Sequence, residues 1–189
     1  SAQRVYDHLV DRLARPEYTP RALLARFNIA LLATTDAATD PLEPHRQMHA
    51  DGLGQAVPTF RPDAVVNLAA PSWREQVAAL SQMSGVDVHD YASYIRALEQ
   101  RRAVFKQLGA LATDHGVQSP RTARLSQREA DAVVARGLRG QASPEDAAEF
   151  TAHMLIEFAR MSAEDGLVMQ LHAGSLRNHH PALFARFGP

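Results

Sequence analysis

The sequence of 189 residues contains no cysteine. Disulfides, thiolate metal sites and cysteine nucleophiles are therefore excluded, and the absence fits a reducing, cytoplasmic setting. Lysine is nearly missing too: Lys106 is the single lysine among 20 basic residues. Neither sign of charge prevails, since 20 Lys and Arg face 21 Asp and Glu for a formal net charge of −1. A basic face of the kind that binds nucleic acid is not expected. No stretch approaches the roughly 20 consecutive apolar residues of a membrane helix, and the opening Ser1–Asp7 segment has no apolar signal-like run. What is present is ordinary: 46% hydrophobic and 22% charged residues, in a chain long enough to bury a core without cross-links. The length sets one bound. A complete eight-stranded (β/α) barrel needs about 200 to 250 residues, so any barrel reading makes this chain an incomplete one.

Short apolar runs alternate with longer helical patterns. Val5, Leu9 and Leu13 lie at helical spacing within 3–14, and Pro16 stops them. Thr19-Pro20 reads as an N-cap with proline in the first turn. Asn28–Thr34 reads as a strand buried on both faces, followed by Asp36. A helix is expected over 42–50. Gln55–Phe60 is a second strand, weakened by Pro58. Ser72-Trp-Arg-Glu75 has the capping-box pattern. From Asp90 onward, Tyr91, Tyr94, Leu98 and Phe105 make an apolar stripe that ends near Gly109. Ala110–Thr113 is a third strand, leading to Asp114-His115-Gly116. Ser126–Glu129 is a further capping box, and Ser143-Pro144-Glu145-Asp146 opens another helix. That helix ends at Gly166. Leu167–Leu171 is a fourth strand, followed by His172, and a short helix covers 180–187. Strands alternating with helices predict parallel pairing. The fold class is thus α/β: a partial (β/α)8 TIM barrel, with about four parallel strands and helix-rich crossovers.

In such folds the ligand site lies beyond the strand C-termini. Asp36, Arg61, Asp114 and His172 all fall there. Each also has a plain structural reading. Asp36 sits in a turn-like sequence. Arg61 has Asp63 as a ready ion-pair partner. Asp114-His115 has the form of a helix cap with a solvent-facing histidine. His172 has that of a satisfied core histidine, and Arg177 and Asn178 that of caps for the next helix. His45 and His49 stand four apart, a spacing open to a metal, but without the glutamate of a zincin pattern. His8, His45, His49, His89 and His153 lie on helical or loop stretches and read for the most part as surface residues. Leu125–Leu138 superficially looks like the first helix of a helix-turn-helix. The segment after it carries Glu145 and Asp146 where contacts to DNA would be needed, which favours two capped crossover helices.

Four ordered segments carry a resemblance: Arg21–Asp36, Pro58-Thr-Phe-Arg-Pro-Asp63, Gly109-Ala-Leu-Ala-Thr-Asp-His-Gly116 and Asp165–Asn178. In these the chain resembles uronate isomerase, the glucuronate/galacturonate isomerase of the amidohydrolase superfamily, over essentially its whole length. The resemblance implies a (β/α)8 enzyme interconverting an aldohexuronate and a ketohexuronate through a cis-enediol, with a divalent metal, commonly zinc. It implies catalytic roles for Asp114 and His172 and a substrate-binding role for Arg61; Asp36 and Arg177, near strand ends, are further substrate-binding candidates. His172 is the one candidate for contact with the metal. The family's His-x-His metal motif does not occur in this sequence, and no late Asp-x-Arg follows the His172 segment. The expectation is a single segment, residues 1–189, holding roughly strands three to six, whose exposed strand edges drive self-association. A second reading is a non-catalytic remnant, or an acidic-sugar-binding domain, of the same fold. Without the principal metal ligands and the general base, the purified 189-residue chain is expected to leave D-glucuronate unchanged, and detectable formation of ketohexuronate in a coupled assay would refute this.

Overall fold

A computed structural model describes residues 1–174 and 179–188. The chain forms two compact units, Ser1–Leu32 and Ala33–Pro189. In the first, α1 (Ala2–Leu13) begins where the Ser1 side chain accepts from Arg4 N–H, and α2 (Pro20–Arg26) begins where Thr19 accepts from Ala22 N–H. The Thr19-Pro20 start is as the sequence predicts. Neither helix buries a residue; Val5, Leu9 and Leu13 are all exposed.

The apolar run 28–34 departs from expectation. Only Leu32–Ala33 (β1) takes strand form, and Leu31 and Leu32 stay exposed. Asn28 spends the first position of the run in the left-handed conformation, φ 52, closing α2 in the way αL residues end helices. A run of apolar residues becomes a buried strand only where neighbours cover both faces, and here they do not.

The second unit holds a four-stranded sheet. Its strands are β2 (Asp36–Ala37), β4 (Phe60–Arg61), β5 (Ala112–Val117) and β6 (Val168–Ala173), in that spatial order and all parallel. A separate short strand, β3 (Ala56–Val57), precedes β4, and Pro58-Thr59 divides the two. Pro58, having no N–H to donate, accounts for the break. Strand order equal to chain order, with helices in every connection, is the arrangement of an arc of a (β/α) barrel.

The connecting helices are α3 (Glu43–Ala50), α4 (Asp63–Val66), α5 (Trp73–Ser84), α6 (Tyr91–Gln107), α7 (Gln127–Leu138) and α8 (Pro144–Asp165); α9 (Pro181–Phe187) follows β6. Capping boxes form at Ser126 with Glu129 and at Ser143 with Asp146. The box expected at Ser72 does not form. Ser72 is already helical in φ and ψ, and its side chain makes no cap bond; Trp73 N–H turns back to the Ala70 carbonyl instead. An unlooked-for box forms at Asp90 with Ser93. The core lies between sheet and helices: Phe60 packs edge-on against Phe105, with Trp73, Tyr94, Phe150 and Phe158 all buried. No described helix is long and apolar enough to cross a membrane.

Two adjacent arginines of α6 are buried. Arg102 places Nε and Nη2 on the two Asp165 oxygens at 2.6 and 2.9 Å, and Nη2 also reaches Ser162. Arg101 donates to the backbone carbonyls of Ala38, Asp40 and Met83, tying down the turn after β2.

Strand β5 is longer than the sequence suggests, and Asp114 and His115 lie inside it rather than after it. Six paired residues hold it to β6. Polar residues survive in its buried middle because each finds a partner. His115 points into the helical side, bonded to Thr113 Oγ1 at 2.8 Å and packed on the Phe158 ring. It is therefore neither a cap nor a surface residue. Burial, aided by the Arg102 and Arg61 charges and opposed by Asp114, pushes its pKa down to about 4.

Two stability predictions follow from these buried groups. Protonating His115 is harder in the folded chain than in the unfolded one, so stability is whole above about pH 6.5 and falls toward about pH 4. Replacing His115 with Gln is expected to flatten urea-unfolding stability against pH across that window; an unchanged slope would refute the assignment. Asp165→Ala strands the Arg102 guanidinium without its main partner and is expected to lower unfolding free energy by about 3 kcal/mol. Burial pushes the Asp165 carboxyl up, but the Arg102 hydrogen bond, the Leu167 N–H and the charges of Arg102 and Lys106 together outweigh it and hold the pKa low. The stabilisation is thus present at neutral pH and lost as acid protonates Asp165.

Candidate active site

The side chains on β5 alternate between faces. Thr113 and His115 face the core, so Asp114 and Gly116 face the other way. The parallel register places His172 opposite Gly116, and Arg61 ends the neighbouring β4. Three of the residues singled out in the sequence meet as a result. Arg61 Nη1 stands 3.3 Å from Asp114 Oδ2, and His172 Nδ1 stands 2.5 Å from Asp114 Oδ1. The second contact is a close approach without hydrogen-bond alignment, for Oδ1 is buried and has no aligned donor. Exposure rises outward: 7% for the Asp114 side chain, 30% for Arg61 and 62% for His172. The carboxylate is the floor and the imidazole is the lip.

Arg61 has a second carboxylate partner. Its Nε donates to Asp63 Oδ2 at 2.8 Å. Asp63 is the first residue of α4, and its two oxygens accept the Gly116 N–H at 3.1 and 3.2 Å. The Asp63 hydrogen bond raises the Arg61 pKa against the cost of burial, and the nearby Asp63 and Asp114 charges add to it. The guanidinium is held cationic. The ion pair with Asp63 that the sequence offers as an alternative thus exists together with the contact to Asp114. Asp63 and Gly116 were not among the expected site residues. The Arg-Pro-Asp spacing is the one sequence signal that points to Asp63, and nothing local marks Gly116.

Asp36 goes elsewhere. It pairs in register with Phe60, while Ala37 pairs with Arg61, so its side chain lies on the opposite face from Arg61. There it accepts from Thr34 Oγ1 at 2.7 Å, and His45 Nε2 bonds to the same hydroxyl at 2.8 Å. Arg177 lies outside the described residues. His45 and His153 are buried, not on the surface, and His153 bonds the Tyr91 hydroxyl at 2.7 Å. His45 Nδ1 and His49 Nε2 are buried without partners. Among the described residues no three His, Asp or Glu side chains come together as a metal site requires. Asp114 and His172 alone are two donors, which does not make one. A cleft lined by Tyr91, Arg96, Arg124, His153 and Glu157 lies in the helical layer and shares no residue with the strand-end cluster.

The chemistry of the cluster is that of an anion anchor beside a proton-holding pair. Arginine binds a carboxylate through paired N–H groups, and a histidine beside a carboxylate is a residue type suited to proton transfer.

The whole chain, residues 1–189, matches the sequence profile of the glucuronate isomerase family. It is 55% identical over 188 residues to the uronate isomerase of Nostoc punctiforme, covering 100% of this chain and 40% of that protein. It is 47% identical over 189 residues to that of Rhizorhabdus wittichii, covering 100% of this chain and 41% of the relative. Among solved structures it resembles glucuronate isomerase from Caulobacter crescentus, with TM-score 0.89 and 39% identity over 95% of this chain and 38% of that one. Uronate isomerase from Thermotoga maritima gives TM-score 0.85 and 32% identity, over 92% of this chain and 39% of that one. The chain spans about 40% of the length of the curated relatives it matches. On this match along its full length, the chain belongs to the glucuronate isomerase family.

Proposed function

We propose that this chain supplies the substrate-holding part of an aldose–ketose isomerase of hexuronates, converting D-glucuronate to D-fructuronate and D-galacturonate to D-tagaturonate. The observation that carries the reading is the convergence of Arg61, Asp114 and His172 at neighbouring strand ends in a chain of this family. Isomerisation moves one proton from C2 to C1 and one from O2 to O1. Arg61 anchors the hexuronate carboxylate. Its charge is locked on, and its plane is set by carboxylates on two sides. His172, at the lip above Asp114, presents its imidazole to the sugar hydroxyls and takes a hydroxyl proton there.

The family resemblance adds a divalent metal of the zinc kind. The described residues do not assemble a site for it, and no step is assigned to it. A reducing, cytosolic setting and self-association belong to the same reading. In its support, the sequence has no cysteine, and Val168, Leu171, Phe184 and Phe187 are exposed on β6 and α9.

The test is steady-state kinetics on the full-length protein. Arg61→Met is expected to lower kcat/KM for D-glucuronate by about 100-fold or more, the loss typical of an ionic anchor that also holds the transition state. A variant within twofold of the unaltered protein would refute Arg61 as the anchor. Binding of D-glucuronate by the unaltered full-length protein without turnover would show an acidic-sugar-binding protein instead.

A further inference from the structure

An anchor works only if its donors are aimed, and Arg61 has a long side chain with no orientation of its own. Two carboxylates aim it. Asp63 Oδ2 takes the Nε–H at 2.8 Å, and Asp114 Oδ2 stands 3.3 Å from Nη1. Asp63 cannot swing, because the Gly116 N–H holds both its oxygens at 3.1 and 3.2 Å and because it sits at the start of α4. Gly116 is a matter of space and not of backbone freedom. Its φ is not among the positive ones. A Cβ there would stand 2.9 Å from Asp63 Oδ2 and 3.0 Å from Arg61 Nη2, both inside ordinary contact distance. Nε and Nη1 are thus the nitrogens engaged by carboxylates, and Nη2 lies over Gly116.

We infer that Asp63 and Gly116 are positioning residues that fix the Arg61 guanidinium from the side, and so determine which edge of it meets the hexuronate carboxylate. Asp63 does not touch substrate. It acts through Arg61, with its own angle set by the Gly116 N–H, and a Cβ at Gly116 would displace the Asp63 and Arg61 side-chain ends. The inference rests on the proposed isomerase reading for its substrate, and on geometry alone for the positioning.

The experiment is a double-mutant cycle in the full-length protein. Asp63→Asn keeps shape and removes the charge that accepts the Nε–H. It is expected to raise KM for D-glucuronate by about tenfold, the loss of one charge-assisted bond, with kcat changed by less than about threefold. Gly116→Ala pushes on the same two atoms without touching a charge and is expected to act in the same direction. In an Arg61→Lys background, which has no Nε–H, adding Asp63→Asn is expected to cost less than about twofold, since coupled residues are non-additive. Full, independent losses in the double variant overturn the inference. So does Asp63→Asn with unchanged KM.

A second readout does not depend on turnover. In arginine-labelled (15N) full-length protein, the Nε–H signal absent from Arg61→Lys belongs to Arg61. It is expected to move on Asp63→Asn, and a signal that stays in place overturns the positioning role. If the unaltered protein isomerises neither hexuronate, the functional reading fails, and this signal still decides the positioning.

Discussion

The alternation of side chains along β5 is the constraint on which the site and the core both depend. Successive residues of an extended chain must point to opposite faces. In Ala112–Val117 that rule sends Thr113 and His115 into the helical layer and Asp114 and Gly116 to the other side. Pairing with β6 over six residues then locks the register. A slip of one residue would bring Asp114 into the hydrophobic layer beside Phe158 and turn His115 out. The hydrogen bond between Thr113 and His115 and the packing on Phe158 hold His115 in place. Core packing and site geometry are thus two faces of one short strand.

The cluster also illustrates how a charge is kept useful while partly buried. Arg61 faces two carboxylates, so its own desolvation is offset, but the three groups together carry a formal −1. His172 adjoins that excess through Asp114. Elsewhere the same device serves structure alone. Arg102, almost fully buried, is matched by a bidentate Asp165, while Arg101 spends its donors on three backbone carbonyls. An arginine can take both roles because its planar fork offers five donors at fixed angles.

Much of the fold is legible in local chemistry. Thr19-Pro20, Ser126 with Glu129 and Ser143 with Asp146 each begin a helix as their residue types imply, because a cap bonds backbone within its own turn. Ser72 shows the limit: the same residue pattern is overridden when the preceding turn already holds the backbone helical. Strand ends were harder to place. Asn28–Thr34 has the apolar content of a buried strand but forms only the two-residue β1, paired with β3 and left exposed, whereas β5 runs on through Asp114 and His115 because β6 supplies a partner for each residue. The strand-end rule gathered Arg61, Asp114 and His172. It did not separate Asp36, whose side chain leaves on the opposite face.

By itself, the sequence determined the helix starts, the parallel α/β class and the family, since these depend on short-range capping, on periodicity and on ordered motifs along the chain. It also marked which residue types stand near the strand ends. Only the tertiary structure decided which of them meet. Asp114 lies under His172, Arg61 turns to Asp63, and Gly116 leaves the space between them because of register across three strands and the approach of α4. Apart from the Arg61–Asp63 pair, which is local, those contacts join residues far apart in the chain, and no local pattern encodes a register.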